Sequence, residues 1–557
     1  MQEVKSHEQS IISFRQITNS QLSRTHVFRV GISHVITSIT AQLATIFFVL
    51  FSLVLGSAIA FIVPPLRGPD EIAHFVRIYS YVHGELLPSA ELDGRKGTFI
   101  KRELYHKLYF FKTAGEQFAT ARQEGMRYGQ IMRLYDDLAV PLQDEVDGAA
   151  IFAPFAGTEG YNPVAYLPYI AAGIVGEKLD FPQLLLLMRL FGLVAFTAAV
   201  GYAIWVIPAL KWSFVIIALL PVSLYNRSVL SADGAALSSA MVITALCLRS
   251  VARGPDQAWN RAFWMTLCAL SKQAQIIFVL LELMISPMKE LRHRWASVAY
   301  VILPSLILSP LWVFAVSADI AAWRLQLEEH HPPEQFDPVW KLVYMWDHPS
   351  HFPLAMWRAM SGWWHRLWQE LIGILGWQDV LLQSWTYIIL TGLLVLVPFQ
   401  KIQLDDRTRL IMVSGLTAAG YVVLVYLIFF LAYTPVDIDH VRGVQGRYFV
   451  IVLPVAAIFV ASLINRQLPN GVVPSIAIIG SMISGAATVE ALFPGTLVNQ
   501  VFQSAFSADG VRLFPGENRR THQKILSTAR HVALGIQAND EQNRWSVASV
   551  PKQFAES

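Results

Sequence analysis

Two adjacent carboxylates, Asp70 and Glu71, follow directly after a run of about twenty apolar residues, a length suited to crossing a bilayer. Ionisable groups at the end of a membrane helix are costly unless they serve a transport path or a reaction. A carboxylate placed there can take a proton from an attacking hydroxyl, while its neighbour orients the substrate or stabilises positive charge. Asp70 and Glu71 are therefore candidate catalytic residues.

Three nitrogen-bearing side chains, Arg67, His74 and Arg77, surround this pair. Pro69 favours a helix that starts in this segment, and helical spacing places Asp70, His74 and Arg77 on roughly one face. We predict that these three side chains bind an anionic substrate. A capping carboxylate on a solvated helix is the simpler alternative, but it accounts for one acid and not for the whole group.

A third acid, Asp233, begins another apolar run, and Lys272 lies in a short polar turn between two more. Asp233 either caps its helix, since Asp and Ser are preferred caps, or joins the catalytic group, and it can do both. Lys272 is either a snorkelling lysine or a compact ammonium that neutralises a phosphate. Gln273 beside it is a further candidate for substrate binding.

Arg447 starts a late apolar run, and Arg442 lies one loop earlier. The fork of a guanidinium group suits phosphate oxygens, and an ordinary interface anchor is the alternative for both residues. Histidines and aspartates between 330 and 351 match no standard spacing of metal ligands. We therefore predict no metal site and no required cofactor, while a divalent cation stays open.

The elements that must position these residues are membrane helices. Hydrophobic residues make up 54% of the 557 residues and charged residues 15%, whereas soluble domains carry roughly 25% charged residues. A net charge of +3 gives no reason to expect a nucleic-acid partner. The apolar blocks predict an all-α polytopic protein embedded in a lipid bilayer. Eleven spans are predicted, at 42–63, 184–209, 212–228, 233–250, 260–271, 273–287, 296–317, 383–400, 410–433, 447–465 and 471–493.

Clusters of Lys and Arg between the spans predict which loops face the cytoplasm. They place the N-terminal segment 1–41 inside, the domain 42–493 in the membrane and the tail 494–557 outside. Two large external loops result, 64–183 with juxtamembrane helices and 318–382.

Two stretches within these external loops are predicted to lie at the membrane surface. The stretch 161–177 should lie along the outer leaflet, because a second true span there would break the charge pattern downstream. The tryptophan-rich stretch 357–377 is typical of an aromatic belt at the headgroup level, with a sugar-stacking platform as the alternative.

In this order, the motifs resemble the GT-C superfamily of glycosyltransferases that use polyprenyl-phosphate sugars. That group includes the protein O-mannosyltransferases and the lipid A aminoarabinose transferases. The segment 69–71, Pro-Asp-Glu, resembles the acidic motif of the family's first external loop. The segment 161–168, with Asn162 and Tyr166, is similar to its proline-aromatic juxtamembrane helix, followed by Arg189 in the next span.

Three further segments carry the resemblance. Ser231-Ala232-Asp233 resembles the second acidic site, and the turn 270–273 resembles a Thr-Lys-Gly-like turn of the family. Gly446-Arg447-Tyr448 is similar to a motif in a branch of predicted bacterial membrane proteins without an assigned reaction.

The resemblance implies inverting transfer of a sugar from a polyprenyl-phosphate donor to a hydroxyl of an external glycan, lipid or protein acceptor. This transfer would serve assembly of envelope polysaccharide at the periplasmic face of the bacterial inner membrane. Asp70 would act as general base, Glu71 and Asp233 would orient the acceptor or stabilise charge, and Lys272 and Arg447 would hold the phosphate. Two alternatives stay open: a transporter or flippase of a lipid-linked glycan, and a non-catalytic envelope-assembly protein.

Overall fold

The computed structural model describes residues 42–119, 131–133, 135–136, 150–254, 257–285, 288–327, 331–400, 402, 406–469 and 471–492, which belong to one compact unit. The predicted segments 1–41 and 494–557 lie outside the described residues. In chain order the elements are α1 (Gln42–Ile62), α2 (Glu71–Val82), β1 (Ala90–Leu92), β2 (Arg95–Lys101), α3 (Arg102–Ala119), β3 (Ala150–Pro154), a 3-10 helix (Pro163–Tyr166), α4 (Leu167–Val175), α5 (Phe181–Val206), α6 (Lys211–Ala218), α7 (Pro221–Ser228), α8 (Ala232–Arg253), α9 (Ala258–Ser271), a 3-10 helix (Gln273–Met284), α10 (Met288–Leu327), a 3-10 helix (Pro333–Phe336), α11 (Pro338–Asp347), α12 (His351–Gly373), β4 (Ile374–Leu375), β5 (Val380–Leu381), α13 (Ser384–Leu396), α14 (Arg407–Tyr433), a 3-10 helix (Gly446–Val452), α15 (Leu453–Ile464) and α16 (Val472–Leu492).

Within the described residues, seven helices are long and apolar enough to cross a membrane. At a rise of 1.5 Å per residue, about twenty residues cover the roughly 30 Å hydrocarbon core. The prediction of a mostly helical polytopic membrane protein is confirmed at this level. The seven helices are α1, α5, α8, the central part of α10 (His293–Ile320), α14, the run Gly446–Ile464 and α16.

The other four of the eleven predicted spans are shorter, so the count of eleven is not confirmed. The predicted span 212–228 is divided into α6 and α7, of eight residues each, which rise only about 12 Å. The remaining three are α9, the 3-10 helix Gln273–Met284 and α13, of 14, 12 and 13 residues. Helix α6 is apolar but buried inside the protein, except at Lys211. Helix α7 is buried along its whole length and carries the polar residues Ser223, Asn226 and Arg227.

The segment between α1 and α5 contains more than the predicted juxtamembrane helices. Strands β1, β2 and β3 form an antiparallel sheet in that order, with Phe99 opposite Phe152. The fold is mostly helical, as predicted, and these short strands are an addition that the hydropathy pattern did not predict. The stretch 161–177 holds a short 3-10 helix and the nine-residue α4, which rises about 14 Å and is too short to cross the core.

Helix α8 lies at the centre of the bundle. Its most apolar window is 83% buried inside the protein, against 22% to 56% for the other six long helices. Contacts with α5, α9, α7 and the 3-10 helix Gly446–Val452 surround it. Helix α8, which carries Asp233 in its first turn, is therefore enclosed by protein, while the other six long helices are more exposed.

Candidate functional site

Asp70 lies at the end of a tight turn that links α1 to α2. Leu66 and Asp70 both have left-handed backbone conformations, with φ of 64° and 55°, which is uncommon for residues other than glycine. Asp70 occupies the N-cap position of α2, yet its side chain makes no capping hydrogen bond. The carboxylate is 65% exposed and accepts a hydrogen bond of 3.1 Å from Nη2 of Arg447. Capping therefore does not explain Asp70, and strained backbone of this kind concentrates at functional sites.

Glu71, the next residue, has the opposite environment. Its side chain is fully buried, and its two oxygens accept hydrogen bonds from Nε and Nη2 of Arg189 at 2.8 and 2.7 Å. It also accepts hydrogen bonds of 3.0 Å from the backbone N–H groups of Gly68 and Leu230. Glu71 is predicted to orient the acceptor or stabilise charge; in the structure, Arg189 and two backbone N–H groups occupy both of its oxygens.

Arg189 extends this network to the end of α1. Its Nη1 donates to the backbone carbonyls of Ala60 and Val63 at 3.1 and 2.6 Å, and its Nη2 donates to Pro64 O at 3.0 Å. These carbonyls lie at the C-terminus of a helix, where they lack intrahelical partners and favour a cation. One ion pair thus fastens α1, the turn before Asp70 and the turn before Asp233.

Asp233 is the second carboxylate of the site. The helix cap of α8 is Ser231, whose Oγ accepts a hydrogen bond of 3.0 Å from Asp233 N. Because Ser231 takes this role, the Asp233 side chain pairs elsewhere. Its Oδ1 accepts a hydrogen bond from Lys272 Nζ, and its Oδ2 accepts one of 3.2 Å from Asn226 Nδ2.

Arg447 lies between the two carboxylates. Its Nη2 contacts Asp70, and its Nε lies 3.8 Å from Asp233 Oδ2 and donates to Gln445 Oε1 at 2.6 Å. The ring of Tyr448 lies against both cations of the site, 5.5 Å from the Arg447 guanidinium carbon and 4.5 Å from Lys272 Nζ. In the sequence, Tyr448 stands out only as part of the Gly446-Arg447-Tyr448 motif and Gln445 does not stand out; the contact of Gln445 with Arg447 is visible only in the structure.

His74, Tyr166 and Tyr161 form an aromatic wall beside the charged residues. His74 Nδ1 and the Tyr166 hydroxyl are 2.6 Å apart, and the ring of Tyr161 packs edge-on against His74 at 5.4 Å. Burial lowers the pKa of His74 from 6.5 to about 4, against the opposing charges of Asp70 and Asp233. The imidazole is therefore neutral at pH 7. Asn162 caps the adjacent 3-10 helix by accepting a hydrogen bond of 3.0 Å from Val164 N.

Arg67 and Arg77 contact other parts of the protein, contrary to the prediction that they line the site. Arg67 Nη2 donates to Asp379 at 2.8 Å, and its guanidinium stacks over Trp377 at 4.7 Å. Arg77 is buried, donates to Leu86 O at 3.1 Å, and stacks over Tyr81 and Phe155. Of the predicted shared face, Asp70 and His74 lie close together, since the backbone N–H of His74 donates to Asp70 O at 3.0 Å, whereas Arg77 is buried against Tyr81 and Phe155.

The structure gives contacts to other segments for two further predicted binding residues. Arg442 belongs to the loop before Arg447, where its backbone N–H donates to Thr434 Oγ1 at 3.0 Å. The amide of Gln273 lies beside Gly160, near the start of the juxtamembrane segment.

A pocket opens on the buried side of the cluster. Its polar lining includes Asp233, Asn226 and Arg447. Its empty volume is about 240 Å³, which includes the open space at its mouth. Its apolar wall consists of Val222, Leu237, Val450 and Ile451.

The site combines two carboxylates, Asp70 and Asp233, with two cations, Arg447 and Lys272, so its formal charges balance. Each carboxylate has a cationic partner, and Asp70 is the more exposed of the two. Among the described residues, no group of three metal-ligating side chains occurs.

Comparison with known proteins places the chain in a family. No curated protein and no solved structure matches it. A family profile described as "Predicted membrane protein (DUF2142)" matches residues 53–458, which include Asp70, Asp233, Lys272 and Arg447. The chain therefore belongs to the DUF2142 family of predicted membrane proteins.

Proposed function

We propose that this chain is an inverting glycosyltransferase that moves a sugar from a polyprenyl-phosphate donor to a hydroxyl of an external glycan, lipid or protein. Its site would face the periplasm from the bacterial inner membrane and serve assembly of envelope polysaccharide. One observation carries the proposal: Asp70 is a solvent-accessible carboxylate that contacts the buried Arg447, and Arg447 lies 3.8 Å from Asp233, the carboxylate that pairs with Lys272.

Asp70 would act as general base. The acceptor hydroxyl loses its proton to the Asp70 carboxylate while its oxygen bonds to the anomeric carbon. The bond from that carbon to the phosphate oxygen breaks, and the phosphate leaves with the electron pair. Attack from the face opposite the phosphate inverts the configuration at the anomeric carbon.

Lys272 and Arg447 would stabilise the departing phosphate, whose negative charge grows in the transition state. Asn226 donates to the Asp233 carboxylate, and Ser231 accepts from the backbone N–H of Asp233. Held in this way, the carboxylate would keep Lys272 and Arg447 in position and offset positive charge on the sugar. Glu71 would take no part in the chemistry, because Arg189 and two backbone N–H groups occupy its oxygens.

The test compares envelope glycans by mass spectrometry in cells that lack the protein and in cells complemented with variants. Wild-type protein and Asp439→Asn, a change at an exposed acid outside the cluster, should restore one sugar that the deletion lacks. Asp70→Asn should not restore it at equal expression. Full restoration by Asp70→Asn would remove the base assignment, and glycans unaffected by the deletion would remove the proposed function.

A transporter of a lipid-linked glycan is the second candidate, and Arg227 favours it. This arginine is fully buried beside Phe48 and Ser52 of α1, and its Nε and Nη1 have no hydrogen-bond partner among the described residues. A buried charge away from the cluster is expected along a transport path. Loss of glycan export in Arg227→Leu, with sugar transfer intact in membranes, would support this candidate.

A further inference from the structure

Helices α11 and α12 carry an exposed apolar surface that the proposed function does not use. On α11, the exposed residues Val339, Leu342, Val343 and Trp346 recur at intervals of three and four, and Trp346 is 87% exposed. This spacing places them on one face of the helix. Such a face is unusual on a helix that is too short and too polar to cross a bilayer.

Helix α12 is divided along its length into three faces. Phe352, Ala355 and Ala359 pack against the protein core beside Phe430. The opposite face exposes Leu354, Trp357 and Trp364. Residues seven apart lie on the same stripe of a helix, and His351, Arg358 and His365 form a polar stripe between these two faces on one side.

The depth of these helices follows from their contacts with α14. Lys341, on α11, donates to the backbone carbonyls of Phe430 and Thr434 at 2.5 Å each. These carbonyls lie at the end of α14, a helix of membrane-spanning length, so α11 lies at the level where that helix would leave the hydrocarbon core. Arg358 of the polar stripe contacts Asp439 in the loop beyond α14.

We propose that α11 and α12 form an interfacial helix pair that inserts its apolar face into the surface of the lipid bilayer, on the side that carries the Asp70 site. Helices with an apolar tryptophan-containing face and a polar stripe bind at the boundary between headgroups and acyl chains. The exposed apolar surface lies at the same level as the end of α14, a helix of membrane-spanning length, and this favours lipid as its occupant. A second protein copy is the competing occupant.

The pair also contacts the site directly. Glu370, near the end of α12, accepts a hydrogen bond of 2.6 Å from Gly446 N and one of 2.8 Å from Arg366. A Cβ atom at position 446 would lie 1.8 Å from Leu367 O, so only glycine permits this approach. The helix that rests on the bilayer therefore fixes the start of the segment that carries Arg447.

The experiment uses full-length protein in lipid vesicles and a fluorophore attached to one introduced cysteine. Both native cysteines are buried, so labelling reports the new site. Bimane at Trp346→Cys and Trp357→Cys should be quenched at least about twofold more by nitroxide-labelled lipids than by aqueous iodide, as expected for interfacial burial. His365→Cys, on the polar stripe of the same helix, is the matched control and should show the reverse.

Two results would overturn the proposal. Equal iodide quenching at all three positions would mean that the surface faces water. Protection from both quenchers that disappears when the protein is diluted in lipid would mean that a second copy covers it. Trp364→Cys provides an independent measurement if either of the first two variants inserts poorly.

Discussion

Asp70 and Glu71 are neighbours in the chain and belong to opposite kinds of ion pair. Glu71 is enclosed, has four hydrogen bonds and joins three segments of backbone. Asp70 is 65% exposed and has one guanidinium contact. Two adjacent acids at the end of a membrane helix can therefore have different roles. Glu71 holds the surrounding backbone in place, and Asp70 stays accessible to solvent.

The difference arises from the direction of the backbone. Helix α2 begins at Glu71, so this side chain points back toward Arg189 in the bundle. The left-handed conformation at Asp70 turns the Asp70 side chain the other way, toward Arg447. A buried pair that loses one partner is strongly destabilised, whereas an exposed pair contributes little to stability. The four predictions below test this division.

Asp70→Asn should give the largest effect, on activity alone. Removing a general base lowers rates by about 10²- to 10⁴-fold, while the amide keeps the shape of the turn. Sugar transfer in membranes measures the rate, and thermal unfolding in detergent should differ from wild type by less than about 0.5 kcal/mol. A large loss of stability would show that Asp70 is structural as well.

Glu71→Ala should act mainly on stability. It leaves Arg189 buried without its carboxylate, which costs about 3–5 kcal/mol. Denaturation in detergent measures the loss. The double variant Glu71→Leu with Arg189→Met is the control and should recover part of this stability, since no charge then stays unpaired. No recovery would indicate that the hydrogen bonds to Gly68 and Leu230 matter more than the charge.

The free energy of unfolding should decrease as the pH falls, because His74 is harder to protonate in the folded protein than in the unfolded chain. Its pKa is about 4 in the folded protein and 6.5 unfolded, so the unfolded chain binds the extra proton first. The contribution is complete above pH 6.5 and is lost as the pH falls toward 4, by about 3 kcal/mol in total. Unfolding between pH 7 and 4 measures this slope. His74→Asn should flatten the slope, and an unchanged slope would assign it to other groups.

Arg447→Lys should give the smallest effect. The change keeps the positive charge but removes the fork that contacts Asp70, Asp233 and Gln445. We expect a loss of about 10- to 100-fold in transfer rate, because Lys cannot reproduce bidentate contacts. Arg358→Lys, at an exposed residue outside the cluster, is the control and should change the rate by less than about twofold.

Part of this arrangement could be predicted from the sequence. Asp70, Asp233, Lys272 and Arg447 each flank an apolar run, and charges at such places are rare enough to single out. The ion pair Glu71–Arg189 could not be predicted, because nothing local links residues 118 positions apart. The contacts of Arg67 with Asp379 and Trp377 depend on a small hairpin, β4 and β5, that no periodicity marks. The span 212–228 is not found as one helix, because the apolar α6 ends at Ala218 and the more polar, buried α7 begins at Pro221.

The backbone at position 70 also limits which side chains can stand there. A left-handed conformation costs an ordinary residue roughly 1–2 kcal/mol, and short polar side chains tolerate it best. At φ 55° the backbone therefore favours aspartate over glutamate as the carboxylate at this position. Glutamate, one carbon longer and more mobile, would keep the charge but would not hold its carboxylate in the same place. The position of this acid therefore depends on the backbone conformation at residue 70.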